Sequence, residues 1–126
     1  MPQPALTTED VGEVTLLRLE GEYDVANVAE LRDALGGLAA SGRPLVVVLT
    51  MASFIDSTIL GVLLGALRRA KEERRGFVFA LEPDASSGAI DRLLEMSGLL
   101  RIFPVYSSID EATTAAAGGA NTPPII

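Results

Sequence analysis

The run "LVVVL", residues 45 to 49, carries no polar residue at any position. Successive residues of a strand point to opposite faces, so an all-apolar run of this kind needs cover on both sides of its sheet. It therefore reads as the central strand of a sheet. The flanking sequence supplies the cover as helices. Residues 27 to 40 repeat Val28, Leu31, Leu35 and Leu38 at the spacing of one helical face, with Asn27 placed as an N-cap. Upstream, residues 14 to 25 alternate through Leu17, Arg18, Leu19 and Glu20, as a strand with one wet face does, and Gly21 marks a turn or bulge. Downstream come a helix from Ser57 to about Glu73, a strand "FVFAL", and a helix "AIDRLLEMSGL" that stops at Gly98. A short strand "RIFPVY" follows, with Pro104 suited to an edge or an end, and then a last helix from 107 to 117. Strands alternating with helices predict one α/β domain over residues 1–116, because parallel neighbours need helical crossovers. The Gly/Pro punctuation of residues 117–126 predicts a flexible tail.

Composition narrows the chemistry. The 126 residues include no cysteine and no histidine, which removes thiol nucleophiles, disulfides, Cys/His zinc sites and every triad with an imidazole base. Lys71 is the only lysine, so a lysine-based variant has little to draw on. The formal net charge of -7 repels a phosphate backbone, and nucleic acid is not an expected partner. No Walker or G-x-G-x-x-G pattern follows a strand, and no cofactor is expected. No apolar stretch reaches the ~18 residues of a membrane span, and "MPQPALTTED" lacks a signal peptide's basic start and apolar run. A cytoplasmic protein without membrane attachment is the expectation.

The stretch "FIDSTILGVLLGALRRAKEERR" concentrates what remains. Asp56, Ser57 and Thr58 stand where a strand gives way to a helix, and side-chain oxygens there satisfy the unpaired N–H groups of the first turn. Capping accounts for all three residues; so does an exposed hydroxyl held at a helix N-terminus, where a phosphate is tolerated. Ser57, Gly61 and Gly65 are four apart and share one face, although each glycine costs ~1 kcal/mol relative to alanine in a helix interior. Leu60, Leu63, Leu64 and Leu67 form the core-facing stripe, which turns the glycines, Thr58 and Val62 toward another surface. That surface serves either close packing on a neighbouring helix or docking of another protein. Asp24, in the turn "GEYDVAN", joins it if the turn lies beside the helix start; otherwise it is a turn or cap aspartate. Arg68 and Glu72 are spaced for an ion pair on the solvated end of the helix.

The segments "LEGEYDVANVAELRDAL", "LVVVLTMASFIDSTILGVLLGALRRAKE" and "SGAIDRLLEMSGLLRIFPVYSSIDEA" resemble the STAS-domain family, and within it the bacterial anti-sigma factor antagonists. The resemblance runs from Val14 to Ala112 in order. It implies a mixed central sheet of about five strands with about four helices. It also implies a non-enzymatic binding protein whose serine, Ser57 on alignment of "FIDS", is phosphorylated by a partner kinase. That partner is an anti-sigma factor bringing its own ATP and magnesium; the unphosphorylated antagonist binds it and frees a sigma factor, and a PP2C-type phosphatase resets the switch. Asp24, Asp56, Thr58, Ile59, Gly61, Val62 and Gly65 are then the partner-binding residues. Three positions depart from the usual pattern: Ile59 replaces a glycine, Val48 stands where many members carry Asp or Asn, and Gly88 replaces a common proline. The bulk of Ile59 beside the acceptor leaves a second reading open, a constitutive STAS interaction module without phosphorylation switching.

Overall fold

A computed structural model describes residues 4–83 and 88–124, the side chain of Ala89 excepted. The elements in chain order are β1 (Ala5–Val11), β2 (Val14–Tyr23), α1 (Val28–Ser41), β3 (Leu45–Val48), β4 (Ala52–Ile55), α2 (Ser57–Glu72) and β5 (Phe77–Ala80). They are followed by α3 (Gly88–Ser97), a 3-10 turn (Leu99–Arg101), β6 (Val105–Tyr106) and α4 (Ile109–Ala117). The strands form one six-stranded mixed sheet in the order β1-β2-β3-β5-β6, with β4 paired to β2 off that path. Among the described strands, only β1 runs antiparallel to its neighbour.

Cover arrives on both faces, as the apolar run requires. Leu45, Val47 and Leu49 join Leu17, Leu19, Phe77 and Phe79 in the core beneath α1, α2 and α3. Val46 and Val48 turn the other way and pack with Val14, Leu16, Val78 and Ala80 against Ala112 and Ala116 of α4. Alternation along single strands thus sorts two cores from one sheet. Val48 is part of the second core, where an apolar side chain is at home.

β2 is long enough to serve two partners in succession. Thr15 to Arg18 pair with β3, and Gly21 to Tyr23 pair with β4, with the register shifting between Gly21 and Glu22. Gly21 takes φ +86°, a left-handed conformation that glycine adopts without a steric penalty. It is a bulge rather than a turn, and it is what carries β2 onward beside β4.

The sheet edges add to and shorten what the sequence shows. β1 is largely exposed and polar, and its ladder to β2 carries an Arg18–Glu9 pair at 2.7 Å. Of "RIFPVY", only Val105 and Tyr106 form strand, while the Pro104 carbonyl accepts from the Phe79 N–H at 2.9 Å just before it. α4 ends at Ala117, and residues after it bond to the region around β5. The Ala120 carbonyl accepts from the Phe77 N–H at 2.8 Å, and the Asn121 side-chain amide donates to the Arg75 carbonyl at 3.1 Å. Polar groups of the described tail thus close the end of β5; residues 125 and 126 lie outside the described residues.

The same corner fixes Gly76. A β-carbon built there lands on the Ala116 carbonyl oxygen, backbone that cannot swing aside as a flexible side chain does. Gly76→Ala is expected to cost about 1–3 kcal/mol through forced displacement of α4, read as a lower urea midpoint at unchanged slope.

Candidate functional site: a helix start at the mouth of a groove

The ends of β2 and β4 assemble the site. Tyr23 pairs with Ile55, and the Asp56 N–H donates to the Tyr23 carbonyl at 3.3 Å. This register brings Asp24 and Asp56, the next residue of each chain segment, to the same end of the sheet. Asp24 holds its own turn: its Oδ1 accepts from the Ala26 N–H at 2.9 Å, and its N–H donates to Asn27 Oδ1 at 2.9 Å. Asn27 makes no side-chain cap to α1; its amide donates to the Glu22 carbonyl at 3.0 Å and braces the turn instead. Burial, with the Glu30 and Glu20 carboxylates adding to it, pushes the Tyr23 phenol up to about 12, so the residue beneath Asp24 stays neutral.

Asp56 alone performs the capping. Its backbone is extended, and its Oδ1 accepts from the Ile59 N–H at 3.0 Å, three residues into the helix. Ser57 is the first residue of α2, exposed, and its hydroxyl makes no hydrogen bond to another described residue. The cap and the free hydroxyl are separate residues.

Helix α2 is rotated slightly from the face its leucines suggest. Its buried residues are Ile59, Leu63, Leu67 and Ala70, whereas Leu60 and Leu64 are half-buried. Ile59 is therefore not a docking residue: it is 0% exposed and belongs to the core under α1, α2 and α3. The i, i+4, i+8 series that begins at Ile59 carries this information in the sequence, and the leucine stripe obscures it. Thr58 and Val62 are half-buried, while Gly61 and Gly65 are exposed.

Ser57, Thr58, Gly61, Val62 and Gly65 line a groove of about 570 Å³ between α1 and α2. A β-carbon built on Gly61 or on Gly65 meets no atom within 4 Å. Close packing inside the domain is thus not what these glycines serve. Gly61→Ala and Gly65→Ala are each expected to stabilise the isolated domain by about 0.5–1 kcal/mol, measured by urea denaturation, because alanine is the better helix former and has room.

Other groove residues carry no signal in the sequence. Arg32 and Gly36 come from α1, and Arg69 and Arg75 stand toward the C-terminal end of α2. The predicted Arg68–Glu72 pair is replaced by Glu73, which meets Arg75 at 2.8 Å and Arg69 at 3.3 Å. Hydrogen bonds from Arg75 and Arg69 hold the Glu73 carboxyl below its ordinary value. Among the described residues, no group of three or more acidic, His or Cys side chains is arranged to hold a metal ion. No helix there is long and apolar enough to cross a membrane.

The STAS domain family model matches residues 5–112. The chain belongs to the STAS domain family. It is 32% identical over 89 residues to the anti-sigma-B factor antagonist of Bacillus subtilis, covering 71% of this chain and 78% of that one. It is 28% identical over 115 residues to the anti-sigma-F factor antagonist RsfB of Mycobacterium tuberculosis, covering 90% of each. Among solved structures, an anti-sigma factor antagonist from Mycobacterium paratuberculosis superposes with a TM-score of 0.78 at 28% identity, over 90% of this chain and 94% of that one. The relatives of this STAS protein are thus named as antagonists of anti-sigma factors.

Proposed function

We propose that this STAS domain is an anti-sigma factor antagonist switched by phosphorylation at Ser57. The observation that carries this reading is the division of labour at the start of α2: Asp56 caps the helix, and the Ser57 hydroxyl is exposed beside an open groove, without a bond to any described residue. The unphosphorylated protein binds a kinase-type anti-sigma factor through Asp24, Asp56, Thr58, Gly61, Val62 and Gly65, and so releases a sigma factor. The kinase supplies ATP and transfers its γ-phosphoryl group to the Ser57 oxygen, which gives up its proton. A PP2C-type phosphatase hydrolyses the ester. The protein itself is not an enzyme, and the exchange takes place in the cytoplasm.

The antagonist names of the relatives at 32% and 28% identity support the partner class. The constitutive reading drew its force from Ile59 crowding the acceptor. With Ile59 in the core, its bulk is not presented to a kinase.

The test is competition. The protein is titrated into a preformed complex of a kinase-type anti-sigma factor and its sigma factor from the same cell, without ATP, and free sigma factor is measured. Release in proportion to added protein is expected. A complex left intact by an excess of folded protein contradicts the proposal.

A further inference from the structure

Among the described residues, the groove between α1 and α2 is lined by Arg32, Arg69 and Arg75 and by no carboxylate, in a chain whose net charge is -7. Both helices follow parallel strands and run the same way, so Arg32, in the first half of α1, and Arg69, near the end of α2, stand toward opposite ends. Thr58 and Arg69 both line it, a length of about 16 Å at 1.5 Å per helical residue, or roughly three helical turns. Arg32 makes no hydrogen bond or ion pair with a described residue, and Arg69 gives Glu73 only its Nε, at 3.3 Å. Arg75 is committed to Glu73, with a side chain only 6% exposed.

The walls are low and the floor is apolar. A β-carbon built on Gly36, Gly61 or Gly65 meets nothing within 4 Å, and Ala39 and Ala66 add little height. Val62 and Ala66, both half-buried, supply apolar surface between the arginines, over the buried Leu35 and Phe77. Small residues along both walls admit a backbone as bulky as a helix, whereas taller side chains would hold one off.

We propose that this groove receives an amphipathic helix of a protein partner, about three turns long, with apolar side chains on Val62 and Ala66 and carboxylates at both ends meeting Arg32 and Arg69. This is helix-in-groove recognition with charge-assisted contacts at either end. It rests on the reading of α2 as a docking face, and not on phosphorylation. Ser57 lines the same groove, so a phosphate there adds negative charge where an acidic helix needs positive charge.

A fluorescein-labelled three-turn helical peptide tests this with the full chain. It carries leucines at i, i+3, i+4 and i+7 and glutamates at both ends; a second peptide carries lysines in place of the glutamates. Anisotropy is expected to show binding of the glutamate peptide and none of the lysine peptide, with amide shifts confined to α1 and α2. Arg32→Gln and Arg69→Gln should each weaken binding by about tenfold. Gly61→Leu, whose β-carbon meets nothing within 4 Å, should fold and abolish binding. Equal binding of both peptides, wild-type affinity in the arginine or Gly61 variants, shifts on another face, or no binding of the glutamate peptide overturns the proposal. No kinase or phosphate enters the assay, so its failure leaves phosphorylation of Ser57 untouched.

Discussion

Ile59→Gly is expected to lower unfolding free energy by about 3–6 kcal/mol. The estimate joins the 2–5 kcal/mol of an Ile truncation in a core to the ~1 kcal/mol by which glycine is a poorer helix former than alanine. Ile59 is 0% exposed and shares its core with Tyr23, Ile55 and Leu63, so the lost side chain leaves a cavity beneath the functional helix. Ile59→Val, which keeps the branch, should cost only about 0.5–1.5 kcal/mol. Urea denaturation reads both. A loss below about 1 kcal/mol for Ile59→Gly would show that the side chain does not fill the core. The same burial predicts that Ile59→Val alters neither partner affinity nor phosphorylation rate, since the surface around Ser57 is unchanged.

Phosphorylation of Ser57 is expected to weaken binding to the anti-sigma factor by about 100-fold, or about 2.7 kcal/mol, with the stability of the isolated domain nearly unchanged. The phosphate brings about -1.5 to -2 charges to a position next to Asp56, at the end of the sheet that also holds Asp24. In the free protein that charge remains in water at a helix N-terminus, where the macrodipole favours it. In the complex it must be desolvated against a partner surface suited to the neutral hydroxyl. Ser57→Ala should bind as wild type, because Asp56 rather than Ser57 caps the helix. Ser57→Asp should bind more weakly than Ser57→Ala. Titration calorimetry of the three proteins decides it; equal affinities would place Ser57 outside the interface.

What the sequence discloses tracks the range of the forces involved. The all-apolar "LVVVL" demanded cover on both faces, and Val46 and Val48 found α4 while Leu45, Val47 and Leu49 found α1, α2 and α3. Ser57, Gly61 and Gly65 were placed on one face by helical spacing, and they line one groove. By contrast β1 and β4 left little mark. The first is a polar edge strand whose alternation carries no apolar set, and the second buries only Ala52 and Ile55. Ile59 escapes the predicted core face because Leu60 and Leu64, which are only half-buried, complete a stripe with Leu63 and Leu67 in its place. Arg32 joins the site only because α1 lies beside α2, and the tail closes β5 through backbone groups; neither fact has a local signature.

The most direct measurement is the position of the phosphate. The full chain is incubated with ATP, magnesium and a kinase-type anti-sigma factor of the same cell, verified as active on another substrate, and the digest is mapped by mass spectrometry. The account predicts one phosphate, on Ser57, and none on Ser57→Ala. Modification at Thr58 or elsewhere, or an unmodified chain in the presence of the active kinase, would contradict it.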